Sequence, residues 1–229
     1  KKQIKSWNTS VKINVELEVI RQFRLLVVGQ FSNAGYFIVT PMTRVSDLFN
    51  QIESEYNQKV KEAVKVNKES SFSETFGMRS RIAVDDFYKR KLGIDQAIEK
   101  SDIDLLSKRN IIIIRGSESI EVDLEKFKVT GDVLYNPYIQ QNDIIKIPYK
   151  NRSFTVKGGI QKPGDYEYKA KDSIADALLI AGGLYSDSNI DSIRITRSNS
   201  ERDSESFYIS VEQSKNYELF PEDHIMVPY

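Results

Sequence analysis

Two stretches of this chain carry one pattern in different letters. Residues 158–188 read GGIQKPGDYEYKAKDSIADALLIAGGLYSDS, and residues 29–52 read GQFSNAGYFIVTPMTRVSDLFNQI. With Gly35 set against Gly164, an offset of 129, the helical segment that follows keeps register in both copies. Ile174, Ala177, Leu178 and Ala181 stand at i, i+3, i+4 and i+7, one apolar stripe on a helix of about two turns. Val45, Leu48, Phe49 and Ile52 occupy the same four places in the first copy. Asp47 and Asp176 share the aligned polar position, near the positive end of the backbone dipole. Ser173 with Asp176 predicts a capping box, with Asp172 or Thr43 as further capping candidates, and Gly182 and Gly183 end the second helix in the left-handed region. A helix this short does not persist alone in water, so its stripe must be buried against a sheet.

The flanks of the two helices repeat as well. Upstream lie the apolar runs Leu25 to Val28 and Phe154 to Val156, then a turn at SNAG or QKPG, then a second extended segment. Pro163 presets the turn, and Gly164 is expected to take positive φ in a tight antiparallel reversal. Downstream, NIIIIRGSESIEVDL from Asn110 and SIRITRSNSERDSESFYI from Ser192 each read as strand, polar turn, strand. The copies close alike, on NPYIQQNDIIKIPY ending at Tyr149 and NYELFPEDHIMVPY ending at Tyr229, with Asp143 and Asp223, and Pro148 and Pro228, at an offset of 80. The unit predicted is β-β-α-β-β-β, a mixed sheet carrying one helix.

That order resembles the β-grasp fold. VKGGIQKPGDYEY, SIADALLIAGGL, IRITR and LFPEDHIMVP in the second copy, with VVGQFSNAGYFI and NPYIQQNDIIKIP in the first, resemble the soluble-ligand-binding β-grasp (SLBB) domains of bacterial outer-membrane polysaccharide export proteins. The second copy matches over nearly its whole length, the first only at its two ends. The resemblance implies an α+β chain of two tandem SLBB-like β-grasp domains: residues 1–22 as a leading strand and remnant of an upstream export domain, 23–149 as the first domain with a helical insertion at 53–110, and 150–229 as the second. It further implies a periplasmic, non-enzymatic part of a polysaccharide (capsule or exopolysaccharide) export protein, outer-membrane associated in its full-length form. Such a part is a structural, oligomerising component of the export channel, with polysaccharide, further copies of itself and an inner-membrane export partner as its partners. The acylated cysteine and C-terminal membrane helix of some family members have no counterpart in these residues. The alternative is a soluble glycan or small-molecule binding module outside any conduit.

Within the insertion, Ile52, Tyr56, Val60 and Val64 recur every fourth residue and predict helix. Val84, Phe87 and Tyr88 begin a second candidate that continues through Ile94, Ala97 and Ile98, and NKESSFSETFGMRSR between them reads as loop. Before the first copy, VKINVELEV alternates strictly, with Val11, Ile13, Val15, Leu17 and Val19 on one face, and is expected to form a strand in a hairpin with residues 23–29. Only Lys150, Asn151 and Arg152 separate the copies, which predicts two stacked domains with restricted relative motion.

Composition narrows the function classes. Lys plus Arg and Asp plus Glu are both 33, so no global field draws the chain onto nucleic acid. No apolar run approaches the ~18 residues of a membrane span. The chain has no cysteine and one histidine, which excludes disulfides, thiol catalysis and sites needing two histidines. It starts at Lys1 with neither an initiator Met nor a leader, and a processed or trimmed product is expected. The sequons at Asn8 and Asn151 are short matches of little weight.

No catalytic, cofactor or metal site is expected. His224 stands alone beside the repeated turn residue Asp223, and adjacent Asp85 and Asp86 point in different directions on a helix. KGGIQKPGD and AGGL lack the spacing of a phosphate loop, and AGG follows a helix where a phosphate site precedes one. RSNSERDSES at 197–206 suits a solvated hairpin tip. Tyr36, Tyr166, Tyr168 and Tyr185 are the candidate glycan or subunit contacts, since an aromatic face offers apolar contact beside a polar edge. Packing within the sheet or against a neighbour is the simpler role for the same rings.

Overall fold

In the computed structural model, β1 (Phe23–Val28) turns Phe23, Leu25 and Val27 inward and leaves Arg24 in solvent, the alternation of a strand with one buried face. The structure describes residues 19–29, 31, 34–72, 103–188, 191–198 and 204–229. β2 (Gly35–Val39) pairs antiparallel with β1. Then come α1 (Val45–Phe72), β3 (Ile111–Arg115), β4 (Glu118–Val122), α2 (Leu124–Thr130) and β5 (Ile144–Lys146). β5 lies between β1 and β3, parallel to the first and antiparallel to the second. The second unit contains β6 (Ser153–Gly158), β7 (Gly164–Glu167), α3 (Ile174–Ile180), β8 (Ile193–Ser198), β9 (Ser204–Ile209) and β10 (His224–Val227).

The result is an α+β chain with two mixed five-stranded sheets, ordered β2-β1-β5-β3-β4 and β7-β6-β10-β8-β9. The two orders are the same when each unit is numbered from its own first strand, an arrangement compatible with two β-grasp-like domains. Each sheet covers its own core. The α1 stripe of Val45, Leu48, Phe49 and Ile52 is buried in one, and Ile174, Ala177, Leu178 and Ala181 are buried in the other. At ~1.5–3 kcal/mol for each large aliphatic side chain removed from water, these stripes fix where each helix lies.

The helix ends show how local chemistry and distant contacts share the work. Ser173 and Asp176 form the reciprocal capping box at α3, while the Asp172 carboxylate is engaged elsewhere. In the first copy Arg44 replaces the capping serine, so only the Asp47 half of the box survives, accepting from the Arg44 amide at 2.9 Å. Asn136, 90 residues away, supplies the other half by accepting from the Ser46 amide at 3.0 Å. The Thr43 hydroxyl instead accepts from the Thr40 amide. Gly182 and Gly183 take φ of 87° and 85° and return their amides to Leu179 and Leu178, the left-handed exit expected of them.

Several expectations are corrected. The first helix is 28 residues long, and its run through residues 67–72 enters a stretch read as loop. The second candidate helix from Val84, with Asp85 and Asp86, lies outside the described residues. The hairpin expected between residues 11–19 and 23–29 involves residues 11–18, which lie outside the described residues; β1 itself pairs with β2 and, over Leu26 to Val28, with β5. Gly164 does not take positive φ: the left-handed residue is Gly158, at 87°, and residues 159–163 form the connection from β6 to β7. The β-β-α-β-β-β unit omits α2 between β4 and β5, whose boundary is set by Asp123 accepting from the Lys126 amide and Gly131 at φ 70°.

Candidate functional site

A repeated ion pair organises the end of each sheet. Arg115, the last residue of β3, donates through Nε and Nη2 to both oxygens of Asp143, at 2.9 and 2.8 Å. Arg197 on β8 does the same to Asp223, at 2.8 Å for each bond. Each buried aspartate also accepts from a backbone amide three residues earlier, Gln140 or Phe220. Each arginine donates to a carbonyl, Tyr138 or Glu218, at 3.1 Å. The pairs explain the repeated aspartates as structural clamps on the turn before the last strand. Arg197, assigned to the hairpin tip by its neighbours in sequence, therefore works inside the sheet; residues 199–203 of that tip lie outside the described residues.

Between the two sheets stands a third, larger constellation. Arg109, 1 % exposed, precedes β3 and points toward the second unit. Its Nε and Nη2 reach Asp123 at 3.2 and 3.0 Å, its Nη2 also donates to Asp172, and its Nη1 donates to the Glu167 carbonyl at 2.7 Å. A guanidinium suits this place because its planar fork supplies several fixed donors at once. The Glu167 carboxylate accepts from the Ser107 hydroxyl, the Lys108 amide at 3.1 Å and the Asn110 side chain at 2.7 Å. Lys169 returns across the gap to the Arg109 carbonyl at 2.9 Å and to Glu121 at 3.1 Å.

On the helix side, Lys126 of α2 meets Asp176 of α3 at 2.8 Å and Asp172 at 3.6 Å. Burial pushes the Asp176 carboxyl up, but the Lys126 ammonium and the Ser173 bonds outweigh it and hold the group below the usual carboxylate range. Burial likewise works against the Lys126 charge, and its bond to Asp176 with the field of Asp172 and Tyr135 raises it instead. Asp172 and Asp176 are thus engaged with cations and with the Ser173 cap.

Beside this network opens a cleft of about 440 Å³ whose wall includes Lys108, Lys150, Arg152, Asp165, Tyr166 and Glu167. Its lining combines charged groups of both signs with one ring and Ile180. Among the described residues no group of three or more His, Asp or Glu side chains is arranged to hold a metal ion, and no helix is long and apolar enough to cross a membrane, a statement that leaves spanning by strands untouched. His224 opens β10 on the exposed face, between Thr155 and Thr196.

The four tyrosines do not form one site. Tyr36 is 65 % exposed on the outer face of β2, with the Arg24 guanidinium 4.5 Å from its ring. Tyr166 stacks on Phe154 at 5.7 Å and donates its hydroxyl to the Lys162 carbonyl. Tyr168 packs at the margin of the second core. Burial raises both phenols, assisted by Glu125 at Tyr166 and by Glu218 at Tyr168. Tyr185 lies past α3, its amide bonded to the Gly159 carbonyl. Only Tyr166 borders the cleft. Arg109, Glu167 and Lys126 escape a reading by motif because Glu167 and Asp172 lie 58 and 63 residues from Arg109 and Asp176 is on a different helix from Lys126. The signal available for the clamps was an arginine closing both IIIIR and IRITR.

Residues 153–209, from the start of β6 to the end of β9, match the family model of the SLBB domain. No curated protein is found to match the chain.

Proposed function

We propose that this SLBB-bearing chain is the periplasmic part of a polysaccharide export protein, a non-enzymatic component that oligomerises to form part of the export channel to the outer membrane. SLBB domains occur in polysaccharide export proteins and in ligand-binding modules, and the observation favouring the conduit is the coupling of two units. The SLBB match on the second unit is joined to a first unit of the same strand order through a buried polar contact. In this reading residues 23–149 and 150–229 are tandem SLBB-like domains, and residues 53–110 are a helical insertion in the first. A structural ring element needs domains held at a fixed angle, and the Arg109 network supplies that constraint. The insertion serves contacts with further copies or with an inner-membrane export partner.

The second reading, a glycan-binding module outside a conduit, draws on the cleft bordered by Tyr166. The two separate in one experiment on the full-length protein in its native host. Deletion is expected to abolish surface polysaccharide while polymer or its precursors accumulate inside the cell, and the protein purified in detergent is expected to have the mass of a multimer. Normal surface polysaccharide in the deletion strain, with a monomeric protein that binds glycan, would establish the binding module instead.

A further inference from the structure

The two sheets share a strand order but not an outer face. On the first, Tyr36 stands opposite Leu26, Leu26 opposite Ile144, and Ile144 opposite Ile114, an apolar row across four strands. The corresponding row of the second sheet reads Asp165, Thr155, His224, Thr196. Since both places have the same backbone surroundings, the fold does not require apolar residues there. Ile38, beside Arg24 on the same face, is 63 % exposed. Tyr36 and Ile38 are exposed and Leu26, Ile144 and Ile114 are half-buried beside them, and a contiguous apolar face of this kind marks a surface that meets something.

A second such patch lies beyond β4, the opposite edge of the same sheet. The 3₁₀ turn Val133–Tyr135 is held at the end of β4 by the Asp123 amide donating to the Tyr135 carbonyl at 3.1 Å. It presents Leu134 at 76 % and Val133 at 54 % exposure, with Val129 of α2 nearby in sequence at 41 %. The charges at the two patches are complementary. Arg24 sits over Tyr36, and the Asp132 carboxylate accepts from the Leu134 amide at 3.0 Å; among the described residues neither side chain takes part in an ion pair.

We propose that these two patches bind each other between copies of this chain, the β2 face of one copy receiving the Val133–Leu134 turn of the next, with Arg24 meeting Asp132. Two different surfaces of one unit, the outer face toward β2 and the turn beyond β4, make a heterologous contact, which closes into a ring when the rotation per subunit permits. This inference rests on the oligomeric reading above and names the surfaces that reading needs.

The test uses the whole 229-residue chain in sedimentation velocity, with circular dichroism to verify folding. Ile38→Glu places a carboxylate against Asp132, and Leu134→Lys places an ammonium against Arg24. Both sites are exposed, so both variants are expected to fold. Each alone is expected to weaken association about tenfold or more, the scale of losing one central apolar contact. Mixed one to one, they are expected to recover a dimer, because each retains the intact patch that the other lacks. A wild-type chain that associates while both variants associate equally well overturns these surfaces and leaves the oligomeric reading standing. Loss in Ile38→Glu alone, with no effect of Leu134→Lys, identifies a symmetric contact and overturns the head-to-tail arrangement. A wild-type chain that stays monomeric, together with a monomeric full-length protein, overturns both.

Discussion

Replacing Arg109 by Met leaves the carboxylates of Asp123 and Asp172 in a nearly dry contact with their central cation removed. A buried ion cluster adds little over a well-packed apolar one, but removing one partner strands the others. The variant is therefore expected to lose ~3–5 kcal/mol in urea unfolding, and Arg109→Met combined with Asp123→Asn and Asp172→Asn is expected to recover part of that loss. A single-variant loss below ~1 kcal/mol would mean that water already reaches the site. At this scale the sequence was legible where chemistry is local. Ser173 and Asp176 are three residues apart, and their box is formed. Arg109 was not legible, because nothing near it in the chain announces Asp172 and Glu167 as its partners. Gly164 was misread for a related reason: a turn glycine is recognised by type, but the positive φ fell on Gly158, where β6 passes close to the Val227 carbonyl of β10.

The elements divide in the same way. The four-place apolar stripe placed both helices against their sheets, since burial follows the 3.6-residue period whatever the letters. The spacing of Ile52, Tyr56, Val60 and Val64 anticipated helix beyond the stripe, but the last turns of α1 through Phe72 and the presence of α2 were not anticipated, because no apolar period marks them. The two helix starts offer a direct comparison. Ser173→Ala and Asn136→Ala are each expected to cost ~1 kcal/mol, the usual worth of an N-terminal cap. Hydrogen exchange distinguishes them: Asn136→Ala speeds exchange at the Ser46 amide and leaves the α3 amides unchanged, whereas Ser173→Ala acts only on α3. Unchanged Ser46 exchange in Asn136→Ala would show that the long-range cap does not hold that turn.

Across the molecule, the contact between units carries a pH dependence with a definite sign. Asp176 is held below its unfolded value of ~3.9, so its contribution is present above that pH and lost as pH falls through the lower folded value. Calorimetry is expected to show one cooperative transition near neutral pH and separated transitions for the two units below about pH 4. Asp176→Asn is expected to flatten the acid side of that dependence. Two transitions already present at neutral pH would show that the units are thermodynamically independent and that the Arg109 network does not couple them.

The repeat, the strand sequence of each unit, the burial of both stripes and the resemblance to SLBB domains were all readable from residue order. Each depends on patterns a few residues long, which local sterics and water impose on any chain. The order of strands in each sheet, the cap from Asn136, the arginine clamps and the join at Arg109 became visible only in the folded molecule. They arise when residues tens of positions apart are brought within hydrogen-bonding distance, and many partners of suitable charge compete for that place until packing selects one.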